Sequence, residues 1–203
     1  VRSWSATPFV IKDVPITYLQ SKHNSKKYDD IDIMLVNTFA TDEPIEVFLK
    51  AVKGLPYKIA ITGKITSKNR EIVQSAPKGV HFTNFLSNND YGLLLKSTKF
   101  VMTLTTQENQ MQRGVYEAVY NGIPAITSNQ KFLRGIFYKG VCFVKNESDD
   151  IRSGIIEAMN NHETLLKEVQ ELKEEKLEDW DNTKRILLDV IQGVSKNLKE
   201  ESL

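Results

Sequence analysis

Arg113 and Glu117 stand four residues apart in a short helical pattern, Met111 to Asn121, that follows a polar loop. On a helix this spacing places a guanidinium and a carboxylate on one face. Gln112 and Arg113 fall in the first turn, where free N–H groups and the positive end of the helix dipole attract an anion. An arginine there opposes the dipole, and a bound anion would compensate it. Gly114 and Ala118 make an adjacent face smooth enough for the helix to lie close to a sheet. The alternative is an ordinary surface ion pair, worth about 0.3–0.5 kcal/mol. Spacing alone leaves both open.

The elements that would position these residues are a strand, a loop, a helix and a second strand. Phe100 to Leu104 is an apolar run, Thr105 to Gln110 is polar, Gly122 and Pro124 stop the helix, and Ala125 to Thr127 returns to β-type residues. In one sheet this is a right-handed parallel crossover. Its string, TTQENQMQRGVYEAVYNGIPAITS, with Glu117-Ala118 followed by Gly122-Ile123-Pro124-Ala125-Ile126, resembles the signature of the donor-binding, C-terminal half of GT-B glycosyltransferases of the group-1 (GT4-like) class. The resemblance extends over about residues 32–144 and is specific in this central stretch.

That resemblance implies sugar transfer from a nucleoside diphosphate sugar, with no further cofactor. Glu117 would hold the ribose hydroxyls, while the loop and helix N-terminus, Gln112 and Gly114 included, would face the diphosphate and donor sugar. Two departures stand out. Many family members carry a second acidic residue with seven positions between, which here is Asn109, with Glu108 one residue off. The loop after the first strand, Asn37 to Glu43, lacks the usual arginine and lysine. Neutralising a diphosphate then falls on Arg113, the helix N-terminus and Lys64, a residue that otherwise reads as a solvated loop lysine. Glu108 and Arg113 are the candidate catalytic residues; Glu117, Gln112, Gly114, Lys64 and Asn109 are the candidate donor-binding residues. The acceptor and any general base would lie on an N-terminal domain that this chain does not contain.

Further elements alternate. Strands are expected at 31–36, 58–62, 80–82 and 140–145, and helices at 45–52, 68–75, 90–97, 132–136 and from 149. Ile45, Phe48, Leu49 and Val52 mark the inner face of the first helix. The alternation predicts an α/β fold, a Rossmann-like doubly wound parallel sheet of about six strands with C-terminal helices. Its core should include Ile33, Leu35, Ile59, Ile61, Val101, Leu104 and Ile126. Residues 1–29 read as a linker or N-terminal arm, 30–161 as the nucleotide-sugar-binding domain, and 162–203 as helices packing on this domain or on a missing one. Trp180 sits between two helical patterns, as a seam plug. Leu187, Val190, Ile191, Val194 and Leu198 form an apolar stripe, part of it expected to be exposed.

Composition narrows the rest. With 203 residues, 40% hydrophobic and 26% charged, the chain has globular proportions. A net charge of +1 gives no field for nucleic acid or an anionic membrane. Cys142 is the single cysteine and reads as a core thiol, and the three histidines are isolated, so no metal site is expected. No run has the length of a transmembrane segment, and the expected location is cytoplasmic, with membrane contact only through the missing domain. A P-loop would need glycine where Lys58 stands and serine or threonine where Ile65 stands, and no dinucleotide fingerprint or nucleophile elbow occurs. Two other functions share the architecture: a non-catalytic nucleotide-binding module and a sugar-nucleotide epimerase.

Overall fold

The computed structural model describes residues 11, 14–16, 18, 28 and 30–200, the side chains of 193–200 excepted. Most of the expected N-terminal arm therefore lies outside the described residues, as do the side chains of Val194 and Leu198.

Six strands form one parallel sheet: β1 (Ile31–Leu35), β2 (Ile59–Thr62), β3 (Val80–Asn84), β4 (Thr98–Thr103), β5 (Ala125–Ser128) and β6 (Val141–Val144), in the order β3-β2-β1-β4-β5-β6. Both faces are covered, so Ile33, Met34 and Leu35 are all buried in succession. Their side chains alternate between two cores. Ile33 and Leu35 join Ile59, Ile61, Phe100 and Met102 on one face, beneath α1 (Ile45–Val52) and α6 (Ser148–Asn160). Met34 joins Ala60, Val101 and Ala125 on the other, beneath α3 (Asn88–Lys96), α4 (Arg113–Tyr120), α5 (Lys131–Ile136) and α7 (His162–Glu200). A further short helix before β3, α2 (Arg70–Gln74), buries no residue fully.

The helices form where their apolar spacing meets a face. Ile45, Phe48, Leu49 and Val52 of α1 are buried together, each such side chain contributing about 1.5–3 kcal/mol. Arg152 of α6 closes α1 by donating to the carbonyls of Ala51 and Lys53, both at 2.9 Å, two of the acceptors a helix end leaves unpaired. The seven expected core residues, from Ile33 to Ile126, are all buried.

The C-terminal segment differs from the sequence reading in one respect. It is one 39-residue helix, with Trp180 inside it and half-buried, where two helical patterns joined at a seam were expected. The pattern shift around Trp180 carries no glycine or proline, and its Lys, Glu and Leu favour helix, so nothing interrupts the ladder. The first half of α7 is fastened to the body. Glu168 accepts the Gly140 amide at 3.0 Å, Gln170 donates to the Gly122 carbonyl at 3.1 Å, and Lys139 pairs with Glu171 and Glu175 at 3.0 and 2.9 Å. Gly140 has φ +64, and a Cβ there would meet Val169 at 2.5 Å, which is why the chain turns into β6 on a glycine. Further along, Ile186, Leu188, Val190 and Ile191 are exposed. Cys142 is only half-buried; burial pushes its thiol above the ordinary range.

Candidate functional site

Strand order reverses between β1 and β4, so the loops leaving these two strands diverge and open a crevice at their carboxyl ends. The cleft there has a volume of about 670 Å³. Val36, Asn37 and Thr38 line it from the loop after β1, and Gly63 and Lys64 from the loop after β2. Phe85, Leu86 and Asn88 come from beyond β3, and Arg113, Gly114 and Glu117 from α4. Two glycines bring these walls together. Gly63, at φ +118, lies so near the Asn37 carbonyl that a Cβ would approach it to 2.6 Å. Gly114 lets the start of α4 rest on Thr103 and Val36.

Glu117 is the buried charge of the cleft, 7% exposed. Its Oε2 accepts from the Tyr91 hydroxyl at 2.5 Å and its Oε1 from Arg113 Nε at 3.3 Å, and the Tyr18 hydroxyl lies close to it. Burial first, and then the Glu117 charge, push both phenols well above their ordinary range, so each stays a neutral donor. The i,i+4 pair that spacing suggested is therefore present, but lopsided: the Arg113 side chain is 70% exposed and that of Glu117 9%. A buried carboxylate costs free energy unless satisfied, and the tyrosines offset that cost.

The start of α4 has no side-chain cap and no acidic residue in its first turn. Its dipole end thus faces the cleft beside Arg113. The loop that precedes it is fixed at its base and open at its tip. Thr105 donates through its amide to Ser128 Oγ at 2.9 Å and through its hydroxyl to Asp42 at 2.8 Å, while Asn146 donates to its carbonyl at 2.8 Å. Glu108 and Asn109 are exposed at the tip, with Asn109 in the left-handed region at φ 59.

Of the seven residues singled out in the sequence, Lys64, Arg113, Gly114 and Glu117 line the cleft, and Glu108, Asn109 and Gln112 do not. Residues 128–133, from the end of β5 to the start of α5, also stay clear of it. Tyr18 and Tyr91 are contributors that sequence reasoning missed; Asn37, Thr38 and Phe85 sit in loops at the strand ends, where such a sheet binds ligands. Tyr91 shares helical spacing with Leu94 and Leu95, a period that signals packing and gives no sign of what its hydroxyl meets. The loop after β1 lacks positive charge and is also closed on itself: Glu43 accepts the amides of Thr38 and Ala40 at 2.8 and 2.9 Å. Among the described residues, no group of three His, Cys, Asp or Glu could hold a metal ion, and no helix is long and apolar enough to cross a membrane.

The family model for glycosyl transferases group 1 matches residues 19–181. No curated protein matches the chain by sequence. Among solved structures, Anabaena HepE in complex with UDP superposes with a TM-score of 0.67 at 12% identity, covering 81% of this chain and 49% of that one. A sucrose-phosphate synthase from Thermosynechococcus elongatus gives 0.66 at 16% identity, covering 83% and 46%. A putative UDP-N-acetylglucosamine 2-epimerase from Listeria monocytogenes gives 0.57 at 16% identity, covering 74% and 44%. At these identities the likeness is one of fold. The chain spans about half the length of each of these three.

Proposed function

The chain belongs to the group 1 glycosyl transferases, and from that premise we propose that it is the donor-binding domain of an enzyme that moves a sugar from a nucleoside diphosphate sugar to an acceptor. The observation that carries this reading is the buried side chain of Glu117 in the switch-point cleft, one turn into a helix whose N-terminus is uncapped. Glu117 accepts the ribose hydroxyls. Phe85, 77% exposed at the rim, offers a face for the nucleobase. Uridine is the first base to try, because the HepE structure of like fold holds UDP.

In the transfer step the bond between the sugar and the diphosphate breaks, and negative charge gathers on the departing diphosphate. Arg113, the α4 amides and Lys64 are placed to stabilise that charge. The glutamate at the loop tip, Glu108, reaches the donor sugar when the loop folds inward at Asn109, and Gln112 turns with it. The acceptor and any general base belong to a second, N-terminal domain. Val190 and Ile191, exposed members of the apolar stripe on α7, offer surface for that domain. The domain alone binds donor without transferring it, in a cytoplasmic setting, with any membrane contact made by its partner domain.

One observation favours a second reading, a binding module without transfer. Glu43 fills the amides of the first loop with a carboxylate, where a phosphate would otherwise be welcome. Incubating the full-length protein with nucleoside diphosphate sugars separates the readings. Release of nucleoside diphosphate with a glycosylated acceptor is the expected result. Binding without turnover would favour the module, and a free sugar epimer the epimerase.

A further inference from the structure

Glu117 is approached by two phenols from distant parts of the chain, and neither belongs to the helix that carries it. Tyr91 sits on α3, whose N-terminus is fixed by Ser87: its hydroxyl accepts the Asp90 amide at 3.1 Å and its carbonyl the Tyr91 amide at 2.8 Å. Tyr18 arrives from the segment before the sheet begins. Ile16 and Tyr18 are each tied down, by Asn121 Nδ2 donating to the Ile16 carbonyl at 3.2 Å and Lys96 Nζ to the Tyr18 carbonyl at 3.3 Å. The two rings meet at 5.3 Å. Tyr18 also lies flush against Gly92, where a Cβ would come within 2.5 Å of its own. Both tyrosines line the same cleft as Glu117.

We propose that Tyr18 and Tyr91 are positioning residues that aim the Glu117 carboxylate at a ribose diol, making Tyr18, which precedes the first strand, part of the nucleoside site. The proposal rests on the donor-binding reading and deepens it. A carboxylate has about four acceptor positions on two oxygens. The Tyr91 hydroxyl takes one on Oε2, and the Tyr18 hydroxyl stands beside the same carboxylate, so two phenols limit how it can turn. The third partner, Arg113, is exposed and its Nε contact at 3.3 Å is long. It is the one that leaves when an anion arrives at the helix start. What remains is an oriented acceptor edge facing the cleft, matched to two adjacent hydroxyls. Without the phenols the carboxylate could turn, and a missing ribose hydroxyl would cost less.

The readout is the preference for ribose over deoxyribose, which simple packing would not alter. UDP and ADP, each with its 2′-deoxy counterpart, are titrated against wild type, Tyr91→Phe, Tyr18→Phe and Gly92→Ala. Phenylalanine keeps the ring and removes only the hydroxyl, and Gly92→Ala dislodges Tyr18 without removing any hydroxyl. Wild type should prefer the ribose form by roughly tenfold, the worth of one hydrogen bond to a charged group. In Tyr91→Phe that ratio should fall at least about threefold while affinity for the deoxy form stays within about twofold, and Tyr18→Phe and Gly92→Ala should move it the same way. A ratio that stays constant in all three variants overturns the proposal. So does an equal loss for both sugars, which is what a merely structural role gives, or a wild type indifferent to the 2′-hydroxyl. No binding of either nucleotide by wild type overturns the donor-binding reading itself, and this proposal with it.

Discussion

A Cβ on Gly114 would lie 2.6 Å from the Cγ2 methyl of Thr103, so the first turn of α4 rests directly on the end of β4. Thr103 cannot easily yield, because its hydroxyl is paired with that of Thr127 at 3.0 Å in the buried sheet. Alanine is intrinsically the better helix residue by about 1 kcal/mol, but overpacking of this kind costs about 1–3 kcal/mol and shifts backbone. Gly114→Ala should therefore lower the denaturant midpoint and weaken diphosphate binding together, since the amides that face the anion move. An unchanged midpoint would show that the helix seat is looser than this contact implies.

Arg113 is expected to act on phosphate. Arg113→Ala should weaken a nucleoside diphosphate by roughly tenfold, as loss of a charge-assisted hydrogen bond does, and leave the bare nucleoside nearly unchanged. Its exposed side chain predicts little effect on stability. Equal losses for nucleoside and diphosphate would place it elsewhere in the site.

Glu43 closes the first loop upon itself through the Thr38 and Ala40 amides. Thr38 also lines the cleft, so the carboxylate stands near the path of an incoming diphosphate. Glu43→Ala removes one negative charge and frees two amides that solvent can reach. Diphosphate affinity should rise severalfold at low salt, with the gain shrinking as salt is added. A fall in affinity would mean that the ordered loop matters more than its charge.

Tyr18 and Tyr91 give the fold a dependence on alkaline pH. Both phenols are raised in the folded chain above the ordinary value of about 10. Their contribution is thus fully present below about pH 10. It is lost as pH rises beyond that, where the unfolded chain gives up phenolic protons that the folded chain keeps. Urea midpoints from pH 8 to pH 11 should fall more steeply in wild type than in the double variant Tyr18→Phe, Tyr91→Phe. Parallel curves would contradict the assignment.

What could be read from the sequence was what local chemistry determines. Ile45, Phe48, Leu49 and Val52 sit at helical spacing between an opening proline and a closing glycine, and α1 spans Ile45–Val52 as that pattern indicates. Leu35, Val101 and Ile126 lie in short apolar runs between breakers, and these runs pair into one parallel sheet. The placing of Arg113, Gly114 and Glu117 followed from one strand–loop–helix unit. The partners of Glu117 did not, because Tyr18 and Tyr91 reach it through the tertiary fold and no local pattern marks a hydroxyl that meets a distant carboxylate. Around Trp180 the apolar phase drifts, which reads as a break, yet unbroken helix formers carry α7 through it.

The central claim is that Glu117 holds the ribose of a nucleoside diphosphate sugar, and calorimetric titration of wild type and Glu117→Gln with UDP and UDP-sugars tests it most directly. The substitution keeps the shape and removes the charge that makes these hydrogen bonds strong. Wild type should bind, and the variant should bind roughly tenfold or more weakly, the equivalent of about 1.4 kcal/mol, while its thermal midpoint shows it still folded. Affinities that match between a binding wild type and a folded Glu117→Gln would contradict the account.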